Sequence, residues 1–392
     1  MFRYLTAGES HGKGVYVIID GIPANLNLSE QDINYYIEIR QKGYGRGSRQ
    51  RIEKDKVDIV SGVRFGKTIG SPVTVIVKNI DYENWKDILS ISSTSKDIKE
   101  FNVPRPGHAD LAGGIKYHHH DLRNILERAS ARETVARVIA GAIASRILKE
   151  FNIELIGYVI DIGGVRTFAD EILTVEKIKN KINELDNKLG VDLRYPDKQK
   201  AITIIKKIDR AMKYGDTLGG IVKVVTSRLI PGLGDFTQWD KKLDGQIARA
   251  LMSVQAFKGV EFGAGFSYAE QYGSEVHDEI SYNQAKGFYR ITNNAGGIEG
   301  GMTNGEPVVV KAVVKPISTL KRGLMSVNVK TKKKTKTTYE RSDTCAVPAA
   351  SVIAESVVAI ELLKALQAKF GTDEISEMKA NYKNYLQYLK KY

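Results

Sequence analysis

Hydrophobic residues recur along the chain in two patterns, one typical of strands and one of helices. Continuous or alternating apolar runs predict strands at 14–20, 57–62, 72–78, 153–161, 220–227 and 307–315. Residues 29–42 show the helical pattern most clearly, since Ile33, Tyr36 and Ile37 are spaced to form one apolar face. Ser29 is the predicted N-cap of this helix. Further helices are predicted at 121–151, 239–254, 347–369 and 373–390.

The order of these elements limits the fold class. Strands and helices are interleaved, but without the short, regular βαβα alternation of a parallel sheet. The sequence therefore favours an α+β layered fold over a Rossmann sheet or a TIM barrel. It contains no short-period repeat and no Pro- or Ser-rich linker that would divide it. We expect a single large domain over 1–392, with the polar, Lys-rich residues 161–216 as a peripheral helical elaboration.

The composition excludes several classes of protein. Cys345 is the sole cysteine, so no disulfide can form within the chain and no cysteine-based metal site can be built. The apolar runs are shorter than the roughly 20 residues that a membrane-spanning helix needs. The first residues lack the apolar region of a secretory signal. We therefore expect a soluble, cytoplasmic protein.

The formal net charge of +13 indicates an anionic partner, such as nucleic acid, an anionic membrane or a small phosphorylated acid. Part of the excess comes from the lysine-rich residues 330–336, which are typical of a solvated loop. Arginines in glycine-rich or small-residue segments are more informative, because a guanidinium group pairs bidentately with carboxylate or phosphate. These arginines are Arg40, Arg46, Arg49, Arg105, Arg128 and Arg341.

Some familiar motifs are incomplete. Residues 62–68 resemble a P-loop, but three residues separate the glycines where four are required, so a turn between strands is the better interpretation. No G-x-G-x-x-G motif lies between a predicted strand and a predicted helix. Consecutive side chains in the triplet 118–120 point in different directions, and no further ligands accompany the three histidines at metal-like spacing. We predict no metal site.

Two histidines lie in glycine-containing turns. His11 lies within 8–12, and His108 lies within 105–110, next to an arginine. An imidazole held on such a turn suits a proton donor at neutral pH, although a hydrogen-bonded structural histidine would give the same pattern. Residues 40–49 space arginines through alternating glycines at the end of a predicted helix. That arrangement suits a pocket for phosphate and carboxylate groups, or a contact with nucleic acid.

Two later segments offer groups for a cofactor. Residues 293–301 are dense in glycine, and residues 315–319 bring a lysine and two hydroxyl side chains. Backbone N–H groups and hydroxyls are suitable donors to a cofactor phosphate or ring. Arg341 and Asp343 precede a small-residue helix and place a base next to a cation. Each of these patterns alone is weak evidence.

The chain resembles the chorismate synthase family in eight ordered segments: GESHG, GYGRGSR, RPGHAD, ERASARETVARV, SVQAFKGVEFGAGF, NNAGGIEGGMTNG, KPIST and ERSDTCAVPAA. The resemblance runs from Arg3 to about Glu355 and is weakest at 161–216 and in the C-terminal helix. It implies a β-α-β sandwich core, a homotetramer and a lyase. That enzyme converts 5-enolpyruvylshikimate 3-phosphate to chorismate by a 1,4-anti elimination in the shikimate pathway.

The resemblance also implies a cofactor and roles for individual residues. The family requires reduced FMN although no net redox change occurs. His11 would stand beside the departing phosphate, His108 near the pyrimidine edge of the flavin, and Asp343 would assist proton removal. The substrate-binding residues would be Ser10, Arg40, Arg46, Arg49 and Arg105. The residues lining the FMN site would be Arg128, Ala129, Ser130, Gln255, Ala256, Gly300, Lys315, Pro316, Ile317, Ser318, Thr319 and Arg341.

Two questions remain open on the sequence. The first is the source of electrons: no separate reductase domain is visible, so we expect an external flavin reductant rather than reduction of bound flavin by NADPH. The second is a different class of function. A basic nucleic-acid-binding protein would account for the isoelectric point near 9.4 and predicts tight DNA binding that weakens steeply with salt. However, the lysine run at 330–336 lacks the interleaved aromatic residues of a single-strand-binding surface.

Overall fold

The computed structural model describes residues 1–47, 55–93, 96–167, 174–338 and 342–392. Helices α1 to α10 are, in chain order, Glu30–Gln41, Asp110–Tyr117, Arg123–Ala129, Thr134–Lys149, Val175–Leu189, Lys198–Tyr214, Leu243–Met252, Gly273–Val276, Val347–Phe370 and Ile375–Leu389. Strands β1 to β17 are Arg3–Ala7, Gly14–Asp20, Val57–Ile59, Val63–Arg64, Lys67–Thr68, Val73–Lys78, Leu155–Ile162, Val165–Arg166, Gly220–Arg228, Phe257–Phe262, Ile280–Asn283, Gly287–Arg290, Ile298–Glu299, Met302–Thr303, Pro307–Val314, Met325–Val327 and Lys334–Lys336.

Two antiparallel sheets form the framework. The first sheet has the strand order β1-β2-β6-β3, and the second has the order β10-β15-β9-β7-β8. Neighbouring strands are antiparallel throughout both sheets. Rossmann folds and TIM barrels are built on parallel strands joined by helical crossovers. The structure therefore confirms the α+β prediction.

Helices α1, α4 and α9 lie between the sheets. α9 packs against α1 and α4 and against β7 and β9 of the second sheet, while α4 packs against β2 of the first sheet. α9 buries 20 of its 24 residues, as expected for a helix that is apolar on all sides and lies inside a core. The result is the predicted β-α-β sandwich. No helix among the described residues has the length and apolar character needed to cross a membrane.

The predicted helix at 29–42 is confirmed, because its signals are local. The backbone N–H of Asp32 donates to the Ser29 hydroxyl, and the Asp32 carboxylate accepts the Ser29 N–H at 2.9 Å, which forms a capping box. Ile33 and Ile37 are fully buried and Tyr36 is half-buried. One turn of sequence is enough to specify where this helix begins.

The single helix predicted at 121–151 is wrong. The chain leaves the helical conformation at Ser130, whose ψ angle is 145°, and the Ser130 hydroxyl accepts the Arg132 N–H to cap a short 3-10 turn at Ala131–Glu133. The helix predicted at 239–254 also divides, at Lys242. The strand predicted at 57–62 ends at Ile59, because Gly62 with φ +82° leads into the β4–β5 hairpin.

Residues 161–216 contain two helices that pack in different places. In α5, Ile178 and Ile182 pack against Tyr158 and Val225, on the face of the second sheet opposite the main core. In α6, Ile204 and Ile208 are fully buried and belong to the main core. The helical character of this segment follows the sequence prediction.

Candidate active site

A cavity of about 1040 Å³ lies beside the N-terminal end of α9, where loops from distant parts of the chain meet. Its walls include the β1–β2 turn, the loop after α1, the loop before α2 and the junction of α3 with α4. It gathers most of the site residues predicted from the sequence. Those that line it are Ser10, His11, Arg40, Arg46, Arg105, His108, Ala129, Ser130, Gln255, Ala256, Lys315, Ile317, Ser318, Thr319 and Asp343.

Other predicted residues are not on this wall. The Arg128 guanidinium points to the first sheet, where it donates to the carbonyl oxygens of Thr6 at 3.0 Å and Gly8 at 3.1 Å. Gly300 lies in the turn between β13 and β14, and Pro316 lies between two lining residues without lining the cavity itself. Arg49 and Arg341 lie outside the described residues.

Arg40 carries a buried charge at the end of α1. Its guanidinium donates to Thr134 Oγ1 at 2.8 Å and to Ala131 O at 3.1 Å, and no carboxylate of the described residues lies within ion-pair distance. Burial, together with repulsion from Arg46 and Arg132, lowers the pKa of Arg40 below its ordinary value. A desolvated cation without a directly paired carboxylate is costly, so this part of the cavity favours an anion.

Arg46 and Asp343 form an ion pair on the cavity wall. Arg46 Nη1 lies 3.0 Å from Asp343 Oδ2, and the backbone N–H of Gly47 donates to Asp343 Oδ1 at 2.7 Å. Arg46 Nε is buried without a hydrogen-bond partner in the described structure. Since buried donors are nearly always satisfied, this nitrogen is available to a bound anion.

His11 is held by a carboxylate and by a ring. Its Nδ1 lies 3.0 Å from both carboxylate oxygens of Glu127, and its backbone N–H donates to Glu127 Oε2 at 2.9 Å. Trp85 stacks on the imidazole with the ring centroids 3.8 Å apart. Burial by itself raises the pKa of Glu127, but the hydrogen bonds and charge of His11, with the nearby Arg123, outweigh burial and hold that pKa below its ordinary value.

His108 has a similar partner in Asp110. His108 Nδ1 lies 2.5 Å from Asp110 Oδ1, and Asp110 also accepts from Arg105 Nε at 2.8 Å and from Nη2 at 3.0 Å. Burial alone raises the pKa of Asp110, but hydrogen bonds from His108 and Arg105 outweigh it and keep the pKa well below its usual range. Arg105 Nη1 donates to Thr319 Oγ1 at 3.0 Å, so Arg105 is largely engaged with protein groups.

A further arginine on the wall, Arg132, was not among the predicted residues. Its guanidinium pairs with both oxygens of Asp55, at 2.5 and 2.8 Å, and donates to Asn79 Oδ1 at 2.6 Å. Asn79 Nδ2 in turn donates to the carbonyl oxygen of Gly12 at 2.6 Å. This buried network supports the turn that carries His11.

Other lining residues have small side chains or hydroxyl groups. The lining residues Ala129, Ala256 and Ala349 leave space close to the backbone, while Ser318 and Thr319 offer hydroxyl donors. Ala256 has a φ of +73°, a strained conformation for a residue other than glycine that is often found at functional sites. These residues suit a flat ring and an attached phosphate.

The family model for chorismate synthase matches residues 2–367. The chain belongs to the chorismate synthase family. It is 51% identical to a chorismate synthase from Geotalea daltonii over the full length of both chains. It is 49% identical to one from Aquifex aeolicus, covering all of this chain and 98% of the relative. A solved structure described as a chorismate synthase is 41% identical, with a TM-score of 0.80 over 100% of this chain and 99% of the other.

Sequence reasoning missed several residues that line the cavity or hold its lining side chains. Trp85 and Arg132 line it, whereas Glu127 and Asp110 contact the lining histidines. Glu127, Asp110, Arg132 and Trp85 all contact a predicted residue or the loop that carries it. A signal existed for three of them. Glu127 and Arg132 lie in the ERASARETVARV segment, and Asp110 ends the RPGHAD segment. For Trp85 no sequence signal was present, because it lies outside every recognised segment.

Proposed function

We propose that this chain catalyses the 1,4-anti elimination of phosphate and a proton from 5-enolpyruvylshikimate 3-phosphate to give chorismate, with reduced FMN and without net redox change. It would thus act as a carbon–oxygen lyase of aromatic amino acid biosynthesis. One observation carries the proposal: Arg40, Arg46 and Arg132 line the same cavity as His11. Membership of the chorismate synthase family supports it.

The cations match the charges of the substrate and of its reaction. A phosphate and two carboxylates need several positive groups. Arg40 in particular forms no ion pair with a carboxylate of the described residues. As the allylic C–O bond breaks, negative charge develops on the phosphate. Positive groups and hydroxyls that are already in place stabilise such charge. Ser10 precedes His11 in the sequence, and the Ser130 hydroxyl lies 3.2 Å from the Ser10 hydroxyl, so both serines add donors there.

Removal of the proton needs a base close to the substrate ring. Asp343 is the candidate, because its carboxylate lines the cavity and is oriented by Arg46 and by the Gly47 N–H. A base contributes most when it is held close to its proton in a site with little water. His108, oriented by Asp110, is the second candidate for proton handling.

The residues of the cavity fit FMN. A volume of about 1040 Å³ reaches the upper end of the range of about 300–1,000 Å³ for small-molecule sites, so a cofactor and a substrate can be held together. Ala129 and Ala256 would accommodate the ring, and Lys315, Ser318 and Thr319 would hold polar groups of the cofactor. When bound, reduced flavin would supply electron density as the C–O bond breaks.

The assembly that we propose is a cytoplasmic homotetramer that receives reduced flavin from an external reductant. An exposed apolar surface supports the association of copies. Leu5 and Ile18 face each other across β1 and β2 and are 72% and 47% exposed. Large apolar side chains that are adjacent on a sheet face mark interaction surfaces.

An anaerobic assay tests the function. Purified protein, photoreduced FMN and 5-enolpyruvylshikimate 3-phosphate are mixed, and phosphate release and chorismate absorbance are followed together. We expect both products in equal amounts, and only with reduced flavin. Folded protein that binds FMN and releases neither product would refute the proposed reaction. Full turnover from oxidised FMN and NADPH, without oxygen, would refute the need for an external reductant.

A further inference from the structure

Glu127 is a buried carboxylate to which the proposed reaction assigns no role. It lies near the end of α3 and is 3% exposed. Its carboxylate contacts both the ring and the backbone N–H of His11, and its carbonyl oxygen accepts the backbone N–H of Ser10 at 2.9 Å. Its carboxylate and its carbonyl oxygen therefore make three separate contacts with the β1–β2 turn.

We propose that Glu127 is a positioning residue for His11, fixing which edge of the imidazole faces the cavity and placing a negative charge against the opposite edge during phosphate departure. The catalytic consequence of this inference rests on the proposed function. The positioning of His11 by Glu127 follows from the geometry alone. Because the carboxylate accepts a hydrogen bond from Nδ1–H, Nδ1 is the donor nitrogen on the side of Glu127. Nε2 then lies on the opposite edge of the ring.

Trp85 holds the plane of the same ring. The two ring planes are 23° apart at a centroid distance of 3.8 Å, a stacked contact, and Trp85 Nε1 donates to Asp81 Oδ2 at 3.1 Å. An aromatic face stabilises an adjacent cation. Arg123 lies over Trp85 at 5.3 Å and donates to Glu127 Oε1 at 3.3 Å, so it links the two residues that confine His11.

Charges of both signs surround the imidazole. Helix α3 contributes Glu127 and Arg123. The 3-10 turn at Ile80–Asn84 contributes Asp81, which accepts a hydrogen bond from Trp85. Glu9 belongs to the same turn as His11, and Arg132 reaches that turn through Asn79. Glu127 contacts the imidazole directly, with both carboxylate oxygens 3.0 Å from Nδ1. A loss of its charge should therefore have the largest effect on His11.

The pH profile of kcat/KM tests the proposal. Glu127→Gln keeps the size and an oxygen acceptor but removes the negative charge. We expect the basic limb of the profile to move to lower pH by roughly one unit or more, the effect of a charge at this distance. Glu127→Asp should return the limb towards its original position even if the rate stays low. A purely structural role would lower the rate equally at all pH values and would overturn the proposal.

Glu150→Gln is the matched control. Glu150 also pairs with an arginine one turn earlier on its helix, Arg146, at 2.6 Å, and it lies at the far end of α4. We expect its profile to match that of the unsubstituted protein. A shift of the limb in this variant would show that any lost Arg–Glu pair perturbs the profile.

A second measurement needs neither turnover nor a substitution of Glu127. The chain has six histidines, so ¹⁵N-histidine labelling gives few signals, and His11→Asn identifies the signal of His11. We expect Nδ1 of His11 to carry a proton throughout the neutral range. An unprotonated Nδ1 would overturn the proposal. A protonated Nδ1 in a protein that releases no phosphate would refute the proposed function and leave the positioning intact.

Discussion

At the scale of single residues, we expect the Arg40 side chain to contribute to activity but not to the stability of the fold. Its charge is buried near two other arginines, and Thr134 Oγ1 retains the Ala131 carbonyl oxygen as a partner without it. We expect Arg40→Met to lower kcat/KM roughly 10- to 100-fold, because a charge-assisted contact to the substrate is worth about 1.5–3 kcal/mol. The free energy of unfolding, measured with urea, should be unchanged or higher.

Arg128→Met is the matched comparison for Arg40. Arg128 donates to the backbone of the first sheet through Thr6 and Gly8, so its removal should lower the free energy of unfolding. If Arg40→Met were the less stable of the two and kept full activity, the interpretation of Arg40 as an anion-binding residue would be wrong.

Asp110 makes stability sensitive to acid. Burial raises its pKa, but His108 and Arg105 outweigh burial and hold the folded-state pKa below the ordinary value of about 4. The unfolded chain therefore binds this proton more tightly. The stabilisation by the carboxylate is complete above the ordinary pKa and is lost as the pH falls towards the folded-state value.

Asp110→Asn should therefore be less stable than the unsubstituted protein at pH 6, and the difference should narrow as the pH falls from about 5 to about 3. Urea unfolding across this range measures both curves. Asp20→Asn is the control, because Asp20 pairs with Arg3 at an exposed position and such pairs contribute little. A difference for Asp110 that stayed constant with pH would show that the charge of this carboxylate does not stabilise the fold.

At the scale of elements, the sequence predicted the start of α1 correctly but missed the break inside the helix predicted at 121–151. The start of α1 depends on Ser29 and Asp32, which are three residues apart. The break at Ser130 has a different origin, because Arg132 pairs with Asp55 and Asn79 across the fold. Helical propensity through 121–151 could not reveal that requirement, since the partners lie far away in the sequence.

The crossing of α4 and α9 depends on one glycine. A Cβ added at Gly141 would overlap the Cβ and Cα of Ser356, so Gly141→Ala must push the two central helices apart. We expect a loss of about 1–3 kcal/mol in the free energy of unfolding, typical of overpacking. Chemical denaturation measures the change.

Gly245→Ala is the matched control on α7. No atom lies within 4 Å of an added Cβ there, so the higher helix propensity of alanine should stabilise the protein by up to about 1 kcal/mol. Equal effects of the two substitutions would mean that packing between α4 and α9 does not limit the helix spacing.

At the scale of the whole molecule, the sequence predicted more of the residues that line the cavity than of the residues that orient them. The resemblance brought together residues from both ends of the chain, such as His11 and Asp343, which line one cavity. It did not identify the pairs that orient them. His11 and Glu127 are 116 residues apart, and Asp343 meets Gly47 across 296 residues. Spacing along a chain does not determine which loops meet when both sheets close around α9.

The exposed face of the first sheet determines how copies associate under our proposal. Leu5 and Ile18 lie opposite each other in register, on the side of the sheet that faces away from the buried Val17 and Ile19. We expect Ile18→Glu to dissociate the tetramer, since a charge would be buried in an apolar contact. Sedimentation velocity measures the assembly. The melting temperature of the separated chains should show that the fold persists.

Val313→Glu distinguishes this face from other exposed apolar positions. Val313 lies on β15 of the second sheet and is 42% exposed, close to the 47% of Ile18. The two substitutions therefore add the same charge at equally accessible valine or isoleucine positions on different sheets. If only Ile18→Glu reduces the mass of the particle, the first sheet forms the contact. If Val313→Glu alone does so, copies associate through the second sheet, and the role given to Leu5 and Ile18 is wrong.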